Sequence, residues 1–306
     1  MSILYRCYRK VLVNPLTQWL YLRFGKINFI ENFKALDISS MVGYMKGGGS
    51  IVRFGDGEIL ILEGRGAPDY QEYSAELQKS LLKVFKSNNS NLLVCIPRCL
   101  NGGEDFSILT TRAAYFWARF AVHNFEWLTE HINPEQLYGD TEISRPWIDS
   151  LNRERADYVF QEFKNLFRDR KLVIIEGRYT RFGCGNDLLL GAKSISRIVG
   201  PEKNAFDLCH ELVKVAAKCD KDSLIIVSLG PAGKVVTYEL VQKGYQVWDL
   251  GHLDIEYEWF IRKNHKKVLI PGKYVNETND KIMDTTNPDT LQYEKQVIRR
   301  ISVRPE

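Results

Sequence analysis

The stretch Ser223-Leu224-Ile225-Ile226-Val227-Ser228-Leu229-Gly230-Pro231-Ala232-Gly233-Lys234 decides the fold class that this sequence predicts. Its first six residues form an apolar run bounded by serines, which is typical of a strand buried on both faces. Glycine and proline follow at once and suit a tight turn into a helix, which we predict over 234–243. A buried strand that leads straight into a helix is the repeating unit of a parallel α/β sheet.

Similar units lie along the rest of the chain. Further strands are predicted at 51–54, 92–96, 171–176, 195–199 and 246–250. Further helices are predicted at 35–47, 73–86, 106–120, 152–167, 188–192 and 205–217. The alternation predicts an α/β fold with a mostly parallel sheet flanked by helices, and such sheets bind ligands at the carboxyl ends of their strands.

The composition excludes several classes of protein. At 306 residues the chain can bury a large core, in one domain or two. Its net charge of +4 is too mild for the strong basic stripe of a nucleic-acid binder, so no nucleic-acid partner is expected. The six cysteines form no C-x-x-C pair, which predicts reduced thiols in a cytoplasmic protein. No run approaches the roughly 18 apolar residues of a membrane span.

Residues 1–34 form a basic N-terminal segment. It has no acid before Glu31, and Pro15 is expected to break it in two. Its cations are Arg6, Arg9, Lys10, Arg23 and Lys26. Basic residues mixed with aromatic ones can lie on an anionic membrane surface, which we consider for residues 1–28. The alternative is a helix that docks on the protein's own body with its charges solvated.

An acidic motif follows the first long strand. It reads Arg53-Phe54-Gly55-Asp56-Gly57-Glu58, between two apolar runs. In extended backbone, residues i and i+2 point to the same side, so Asp56 and Glu58 can aim their carboxylates at one point. Two convergent carboxylates are half of a site for a hard divalent cation. The plain alternative is a polar turn with solvated acids.

Two more loops follow strands and carry polar residues. The loop after 171–176 is basic and rich in glycine, with Arg178, Arg181, Gly183, Gly185, Asn186 and Asp187. It can place backbone N–H groups and guanidinium groups around phosphates, although it matches neither G-x-G-x-x-G nor a P-loop. The turn at Gly230 can also cradle a phosphate, or it simply begins a helix.

A further cluster follows the last predicted strand. Residues 249–260 contain a histidine among four acids, which are Asp249, Asp254, Glu256 and Glu258. At a strand's carboxyl end this cluster indicates a catalytic or acceptor-binding site, whereas any one of these charges alone could be solvated surface. Hydrolase signatures such as G-x-S-x-G and H-E-x-x-H are missing from the sequence.

Six motifs, in order along the chain, resemble the GT-D-type glycosyltransferases, a family long catalogued as a domain of unknown function. The motifs are 53–58 (RFGDGE), 139–146 (GDTEISRP), 181–188 (RFGCGNDL), 201–206 (PEKNAF), 229–231 (LGP) and 251–259 (GHLDIEYEW). The resemblance places a glycosyltransferase domain at 35–270, followed by a polar C-terminal tail at 271–306.

The resemblance implies a Rossmann-like nucleotide-binding fold and a UDP-hexose donor. It implies that the D-x-E motif, here Asp56 and Glu58, acts with a divalent cation, Mn²⁺ or Mg²⁺, on the donor diphosphate. Members work in bacteria on glycans of adhesins or on surface polysaccharides, with inversion at the anomeric carbon. The acceptor would be a glycan on a protein or lipid carrier.

This chemistry suggests roles for the remaining polar residues. Arg53, Arg181 or Lys234 could add positive charge at the diphosphate, and an inverting transfer needs a base on the opposite face of the sugar. The expected nucleotide-sugar site comprises Arg53, Asp56, Glu58, Arg181, Gly183, Gly185, Asn186, Asp187, Asn204 and Gly230. The candidates for the base are Asp254, then Glu256, then His252.

Two other functions stay open at this point. The chain could be a non-catalytic module that binds a nucleotide or a sugar and scaffolds other glycan enzymes. A metal-dependent phosphoesterase could use the same acid pair.

Overall fold

The apolar runs pair into one nine-stranded sheet in the computed structural model, which describes residues 19, 33–101, 103–278 and 290–302. The strands are β1 (Lys34–Ala35), β2 (Ser50–Arg53), β3 (Leu92–Ile96), β4 (Leu137–Asp140), β5 (Lys171–Gly177), β6 (Ser194–Gly200), β7 (Leu224–Ser228), β8 (Gln246–Asp249) and β9 (Val297–Arg300). They lie in the order β1-β4-β3-β2-β8-β7-β5-β6-β9, and the described pairings are all parallel. The predicted α/β fold with a parallel sheet is confirmed.

Helices connect the strands. They are α1 (Ile38–Lys46), α2 (Asp56–Leu62), α3 (Ala75–Phe85), α4 (Gly103–Ser107), α5 (Thr111–His123), α6 (Phe125–His131), α7 (Arg153–Phe167), α8 (Cys209–Ala216), α9 (Gly230–Gln242), α10 (Leu253–Ile261) and α11 (Thr290–Gln296). Polar side chains cap several of them: Ser74 accepts a hydrogen bond from the Leu77 N–H at 3.1 Å at the start of α3. None of these helices is both long and apolar enough to cross a membrane.

The sheet is the middle layer of three. Successive side chains of a strand point to opposite faces, so Ile225 and Val227 of β7 join one core while Leu224 and Ile226 join the other. The first core packs under α2, α3, α8 and α9. The second packs under α1, α7 and α10. Burial on both faces explains why the strands read as continuous apolar runs.

A crevice forms between β2 and β8, which are neighbours in the sheet through Ile51 and Trp248. After β2 the chain enters α2 on one face of the sheet, and after β8 it enters α10 on the other face. Chain segments that leave adjacent strands toward opposite faces leave a gap at the carboxyl ends, which is where open α/β sheets bind ligands.

Two predicted helices differ from the structure. The helix expected at 106–120 is broken, because the Thr110 hydroxyl caps a new helix by accepting from the Ala113 N–H at 3.3 Å. The helix expected at 188–192 is a series of turns. Leu188 and Leu189 are buried there while Leu190 is exposed, an arrangement that a compact loop provides.

The fold extends beyond the boundary expected at residue 270. Residues 271–278, which we call the strap, pack on the domain through the buried Lys273. Residues 290–302 add α11 and the edge strand β9, which pairs with β6. In its described parts, this polar region is therefore packed on the domain and does not form a free tail. The prediction for residues 1–28 lies outside the described residues, apart from Trp19.

Candidate active site

A cleft of about 480 Å³ opens at the carboxyl ends of the strands, across the crevice between β2 and β8. Its floor contains Arg53 at the end of β2 and Gly251 after β8. The starts of α2 and α9 add Asp56 and Lys234. The cleft therefore lies where the strand order predicts a ligand, and its floor joins loops from both halves of the sheet.

A buried charge cluster forms this floor. The Lys234 ammonium lies 2.9 Å from Glu58 Oε1 and 3.2 Å from Asp249 Oδ2. The Arg53 Nε donates to the Asp249 carbonyl oxygen at 2.7 Å. All four side chains are nearly inaccessible to solvent, with at most 11% exposed. Buried charges persist when they are paired, so this cluster fixes the position of both cations at the cleft.

The D-x-E motif begins helix α2 instead of ending a strand. Gly55 is the N-cap, and Asp56 and Glu58 lie in the first turn. Glu58 turns back, and its Oε2 accepts from the Gly55 N–H at 2.9 Å. The expectation that an extended backbone aims both carboxylates at one point is therefore wrong, because the backbone is helical here. Asp56 is the acid of this pair that is exposed to the cleft.

The surroundings of Asp56 compensate its negative charge only in part. Burial by the cleft walls raises the pKa of Asp56, and the nearby Glu58 carboxylate raises it further. The Arg145 guanidinium opposes these effects in part. A bound cation would reverse them, because an adjacent positive charge favours the ionised carboxylate.

The donor set for a divalent cation is small. Within residues 33–101, 103–278 and 290–302, no group of three or more histidine, cysteine or acidic side chains is arranged to hold a metal ion. Asp56 offers carboxylate oxygens exposed to the cleft, whereas Glu58 shares its oxygens with Lys234 and the Gly55 N–H. These residues fit a site in which the protein supplies few ligands and the phosphates of a substrate supply others, as is common for Mg²⁺-type cations.

A second charge network lines the opposite wall. Arg145 binds Glu277 at 2.7 Å and Asp149 at 3.4 Å, and Lys267 lies 3.2 Å from Glu277. These cations hold the pKa of Glu277 well below its usual range, although its burial acts in the opposite sense. The strap thus contributes an ionised carboxylate to the cleft at neutral pH.

His252 lies in the cleft beside the strap. One ring nitrogen, Nε2, is 2.6 Å from Asn276 Oδ1. Burial lowers the pKa of His252 to about 4, so the imidazole is neutral at pH 7. Since an amide oxygen only accepts hydrogen bonds, this contact places the ring proton on Nε2 and leaves Nδ1 as the basic nitrogen.

The other two candidates for the base lie away from the cleft, on the inner side of α10. Asp254 binds the Lys273 ammonium at 2.6 Å and is 1% exposed. Glu256 is fully buried, and its Oε2 accepts from the N–H groups of Trp147 and Ile148 at 3.0 and 2.9 Å. A helix, which sequence reasoning did not expect here, turns both acids into the core.

Most of the glycine-rich loop after β5 also lies outside the cleft. Gly177 and Thr180 line it, but the predicted residues Arg181, Gly183, Gly185, Asn186 and Asp187 do not. Asn186 instead donates to Asp254 and Glu258, each at 2.8 Å. Asp187 binds Lys164 at 2.7 Å and accepts from the Tyr257 hydroxyl. The loop's polar groups therefore join the neighbouring elements together.

The two remaining predicted residues flank Tyr70. Gly230 lines the cleft with φ of +54°, and a Cβ there would lie 2.6 Å from the Tyr70 ring. Asn204 adopts a left-handed φ of 53°, and its Oδ1 accepts from the Glu72 N–H at 2.8 Å. Gly230 thus belongs to the cleft surface, whereas Asn204 holds the loop that carries Tyr70.

Sequence reasoning did not single out several residues of the cleft wall. These are Tyr70, Arg112, Phe116, Asp149, Lys267, Asn276 and Glu277. Arg145 lies in the 139–146 motif, so that motif did indicate a residue of the cleft wall. Most of the others come from segments without a glycine-rich turn, although Tyr70 follows Gly64 and Gly66, and the strap's polar composition indicated a tail.

Comparison with known families and structures gives a consistent result. The family model described as "Glycosyltransferase GT-D fold" matches residues 51–278. The "Probable glycosyl transferase Gly" of Streptococcus gordonii is 36% identical over 274 residues, which is 89% of this chain and 39% of that protein. The "Glycosyltransferase GlyD" of Streptococcus pneumoniae serotype 4 is 37% identical over 254 residues, 82% of this chain and 30% of that protein. The chain thus spans less than half the length of these relatives.

Solved structures show the same similarity. One, described as "The highly conserved domain of unknown function 1792 has a distinct glycosyltransferase fold", has a TM-score of 0.82 and 36% identity over 88% of this chain and 96% of its own. Another, "A New Glycosyltransferase (DUF1792) from Streptococcus sanguinis", has a TM-score of 0.79 and 33% identity over 88% of this chain and 100% of its own.

Proposed function

Because the chain belongs to the GT-D glycosyltransferase family, we propose that it is an inverting, metal-dependent glycosyltransferase that moves a hexose from a UDP-sugar to a hydroxyl of a glycan acceptor. The observation that carries this proposal is the position of Asp56. Its carboxylate opens into the cleft at the β2–β8 crevice, whose lining also includes the buried cations Arg53 and Lys234. An open acid next to fixed positive charge suits a ligand that combines a diphosphate with a cation.

The donor diphosphate binds at the start of α9. This helix spans 13 residues, and no side chain caps its N-terminus, so its first N–H groups and its dipole favour an anion. Lys234 lies in its first turns, and Arg53 lies across the crevice. Cations held rigidly before the reaction stabilise charge that develops on a leaving group.

Asp56 would hold Mn²⁺ or Mg²⁺, and Glu58, whose oxygens also bind Lys234 and the Gly55 N–H, would be the second ligand. A bound divalent cation supplies Lewis-acid stabilisation of the leaving diphosphate. The protein's own part is to keep Asp56 exposed to the cleft, and to hold Glu58 in place through the Gly55 N–H.

His252 takes the proton of the acceptor hydroxyl. Of the three candidates that the sequence indicates, it is the one that lines the cleft. Asn276 orients the ring through Nε2, burial keeps the ring neutral at rest, and the nearby Glu277 carboxylate favours its protonated form when Nδ1 accepts a proton. The acceptor is a glycan on a protein or lipid carrier. The enzyme works in the bacterial cytoplasm, with residues 1–28 in contact with the inner face of the membrane.

The proposal is tested by the release of UDP from UDP-glucose, UDP-galactose and the two UDP-N-acetylhexosamines in the presence of Mn²⁺. Asp56→Asn should lower the release and the transfer at least roughly 100-fold, the usual effect of removing one key electrostatic group. Glu76→Gln is the matched control, because Glu76 is also an exposed acid in the first turn of a helix but lies outside the cleft.

The outcomes separate the alternatives. Equal UDP release by the wild-type protein and Asp56→Asn contradicts the role of the acid. A scaffold would bind these donors and leave all of them intact. A phosphoesterase would release inorganic phosphate without any acceptor.

A further inference from the structure

Helix α5 presents an aromatic face to the cleft. Arg112, Ala113, Phe116 and Trp117 line the cleft wall. The spacing of four residues places Arg112 and Phe116 on one side of the helix, with Ala113 and Trp117 beside them. Phe116 is 44% exposed, and its ring meets the half-buried Trp117 edge to face, with centroids 5.1 Å apart. A large apolar ring thus lines the cleft with a second aromatic ring packed against it.

This face belongs to one half of the cleft. The half that contains α5 lies at the carboxyl ends of β3 and β4, whereas Gly177, Thr180 and Glu202 line the half at β5 and β6. β3 and β5 are four steps apart in the sheet, which corresponds to about 19 Å. The start of α9 lies between the two halves. A ligand whose diphosphate binds there can extend its nucleoside toward one half only, and the other half stays free.

The nucleoside fits the β5–β6 half better. The exposed Glu202 can accept hydrogen bonds from ribose hydroxyls, and the half-buried Thr180 hydroxyl also lines this half. The α5 half instead combines bare aromatic rings with Arg112 and Asp149. This combination suits a sugar ring, whose C–H face packs on an aromatic surface while its hydroxyls bind charged groups.

We propose that Phe116 and Trp117 form the subsite for a sugar ring of the acceptor glycan, an inference that rests on the proposed function. Phe116 provides the contact surface and Trp117 supports it. Arg112 and Asp149 bind hydroxyl groups at the edge of the ring. The acceptor hydroxyl then reaches the donor from the side of the cleft opposite to the nucleoside.

The test compares Phe116→Ala with Tyr115→Ala, since Tyr115 is an exposed aromatic residue on the same helix that does not line the cleft. The probes are the methyl β-glycosides of glucose, galactose and N-acetylglucosamine at millimolar concentrations, observed by saturation-transfer NMR. UDP binding is measured by calorimetry. Phe116→Ala should weaken glycoside binding about tenfold and leave UDP affinity unchanged. Phe116→Tyr and Tyr115→Ala should both retain glycoside binding.

Three results would overturn the inference. An equal loss of UDP affinity in Phe116→Ala would assign the ring to the uracil base. An equal loss of glycoside binding in Tyr115→Ala would indicate an indirect effect through the helix. The absence of glycoside binding to the wild-type protein would remove the subsite. Wild-type protein that binds glycosides but releases UDP from no donor contradicts the proposed function and leaves the subsite standing.

Discussion

Gly251 lies directly under the guanidinium of Arg53. It adopts a φ of +43°, and a Cβ at this position would lie 2.0 Å from the Arg53 Nη2. Gly251→Ala should therefore push Arg53 away from Asp249 and lower UDP affinity and transfer about tenfold, as measured by calorimetry and UDP release. Gly244→Ala is the matched control, because its φ is +81° and nothing lies within 4 Å of its Cβ position.

Both alanine variants should lose roughly 1–2 kcal/mol of unfolding free energy, because the left-handed conformation strains any residue with a Cβ. Only Gly251→Ala should also lose UDP affinity. If the two variants bind UDP equally well, the position of Arg53 does not matter for the donor.

Glu256 should make the stability of the protein depend on pH. Burial raises the pKa of Glu256 to about 7 from 4.5, so the folded protein holds a proton between these values that the unfolded chain has released. Stability should therefore fall as the pH rises through this window, by up to roughly 1.4 kcal/mol per pH unit. Above pH 7 this contribution stays constant.

The measurement is urea unfolding at pH 5 and pH 8 for the wild-type protein and Glu256→Gln. The Gln carbonyl oxygen can still accept from the backbone of Trp147 and Ile148, but the side chain does not titrate. From pH 5 to pH 8, Glu256 should lower the unfolding free energy of the wild-type protein only. The difference in stability should therefore shift in favour of the variant as the pH rises. The exposed Glu154→Gln serves as control and should follow the wild-type curve. A constant difference between wild type and Glu256→Gln would show that Glu256 ionises normally.

At the scale of elements, a buried lysine is one of the anchors of the strap. Lys273 is 1% exposed and lies 2.6 Å from Asp254 and 3.0 Å from Glu258, both on α10. Lys273→Met should cost roughly 3–5 kcal/mol of unfolding free energy, because it leaves the buried Asp254 carboxylate without its cation, while Glu258 keeps only Arg262. Lys266→Met, at an exposed lysine nearby, should cost little.

Asn276 lies three residues after Lys273 in the strap. The same anchor should therefore position Asn276 against His252. Imidazole NMR signals of His252 should therefore shift in Lys273→Met and stay in place in Lys266→Met. If Lys273→Met loses stability while the His252 signals and UDP release are unchanged, the anchor serves the fold alone. Recovery of the signals in Lys273→Arg would support the role of the charge.

Element boundaries explain which parts of the site the sequence could predict. Apolar runs such as 224–228 predict buried strands well, because burial on both faces leaves a strong pattern. The pattern around Asp56 is ambiguous, since Gly55 suits a turn as well as a helix N-cap. The backbone there is helical, so Glu58 turns back to cap the helix while Asp56 faces the cleft.

The acids of α10 were misassigned for a related reason. Asp254 and Glu258 are four residues apart, which places them on one side of a helix, where they meet Lys273. That partner lies in a segment whose polarity suggested a tail. A pairing between distant polar segments leaves no periodic signal in the sequence, so only the folded chain brings these groups together.

At the scale of the whole molecule, short strands form the two edges of the sheet in the part of the chain that the structure describes. β1 comes from residues 34–35 at one edge, and β9 comes from residues 297–300 at the other. Exposed strand edges invite pairing with other chains, and short edge strands limit that risk. β1 has two residues and β9 has four, so both edges offer few free backbone groups.

The net charge is also distributed unevenly over the chain. Residues 1–32 carry five cations and one acid, a net charge of +4, which equals the net charge of the whole protein. Residues 33–306 are therefore neutral overall. Since each basic residue near an anionic membrane contributes about 1 kcal/mol, attachment to such a surface should depend on the N-terminal segment and weaken with salt.

Co-sedimentation with vesicles that contain phosphatidylglycerol tests this attachment, with phosphatidylcholine vesicles for comparison. The full chain should sediment with the anionic vesicles at low salt and be released at high salt. Sedimentation should be lost in a variant with three charge reversals, Arg6→Glu, Arg9→Glu and Lys10→Glu. The charge-matched control reverses three exposed lysines of the folded domain, Lys79→Glu, Lys214→Glu and Lys218→Glu. If both triple variants sediment alike, total charge governs the attachment and the N-terminal segment has no special part in it.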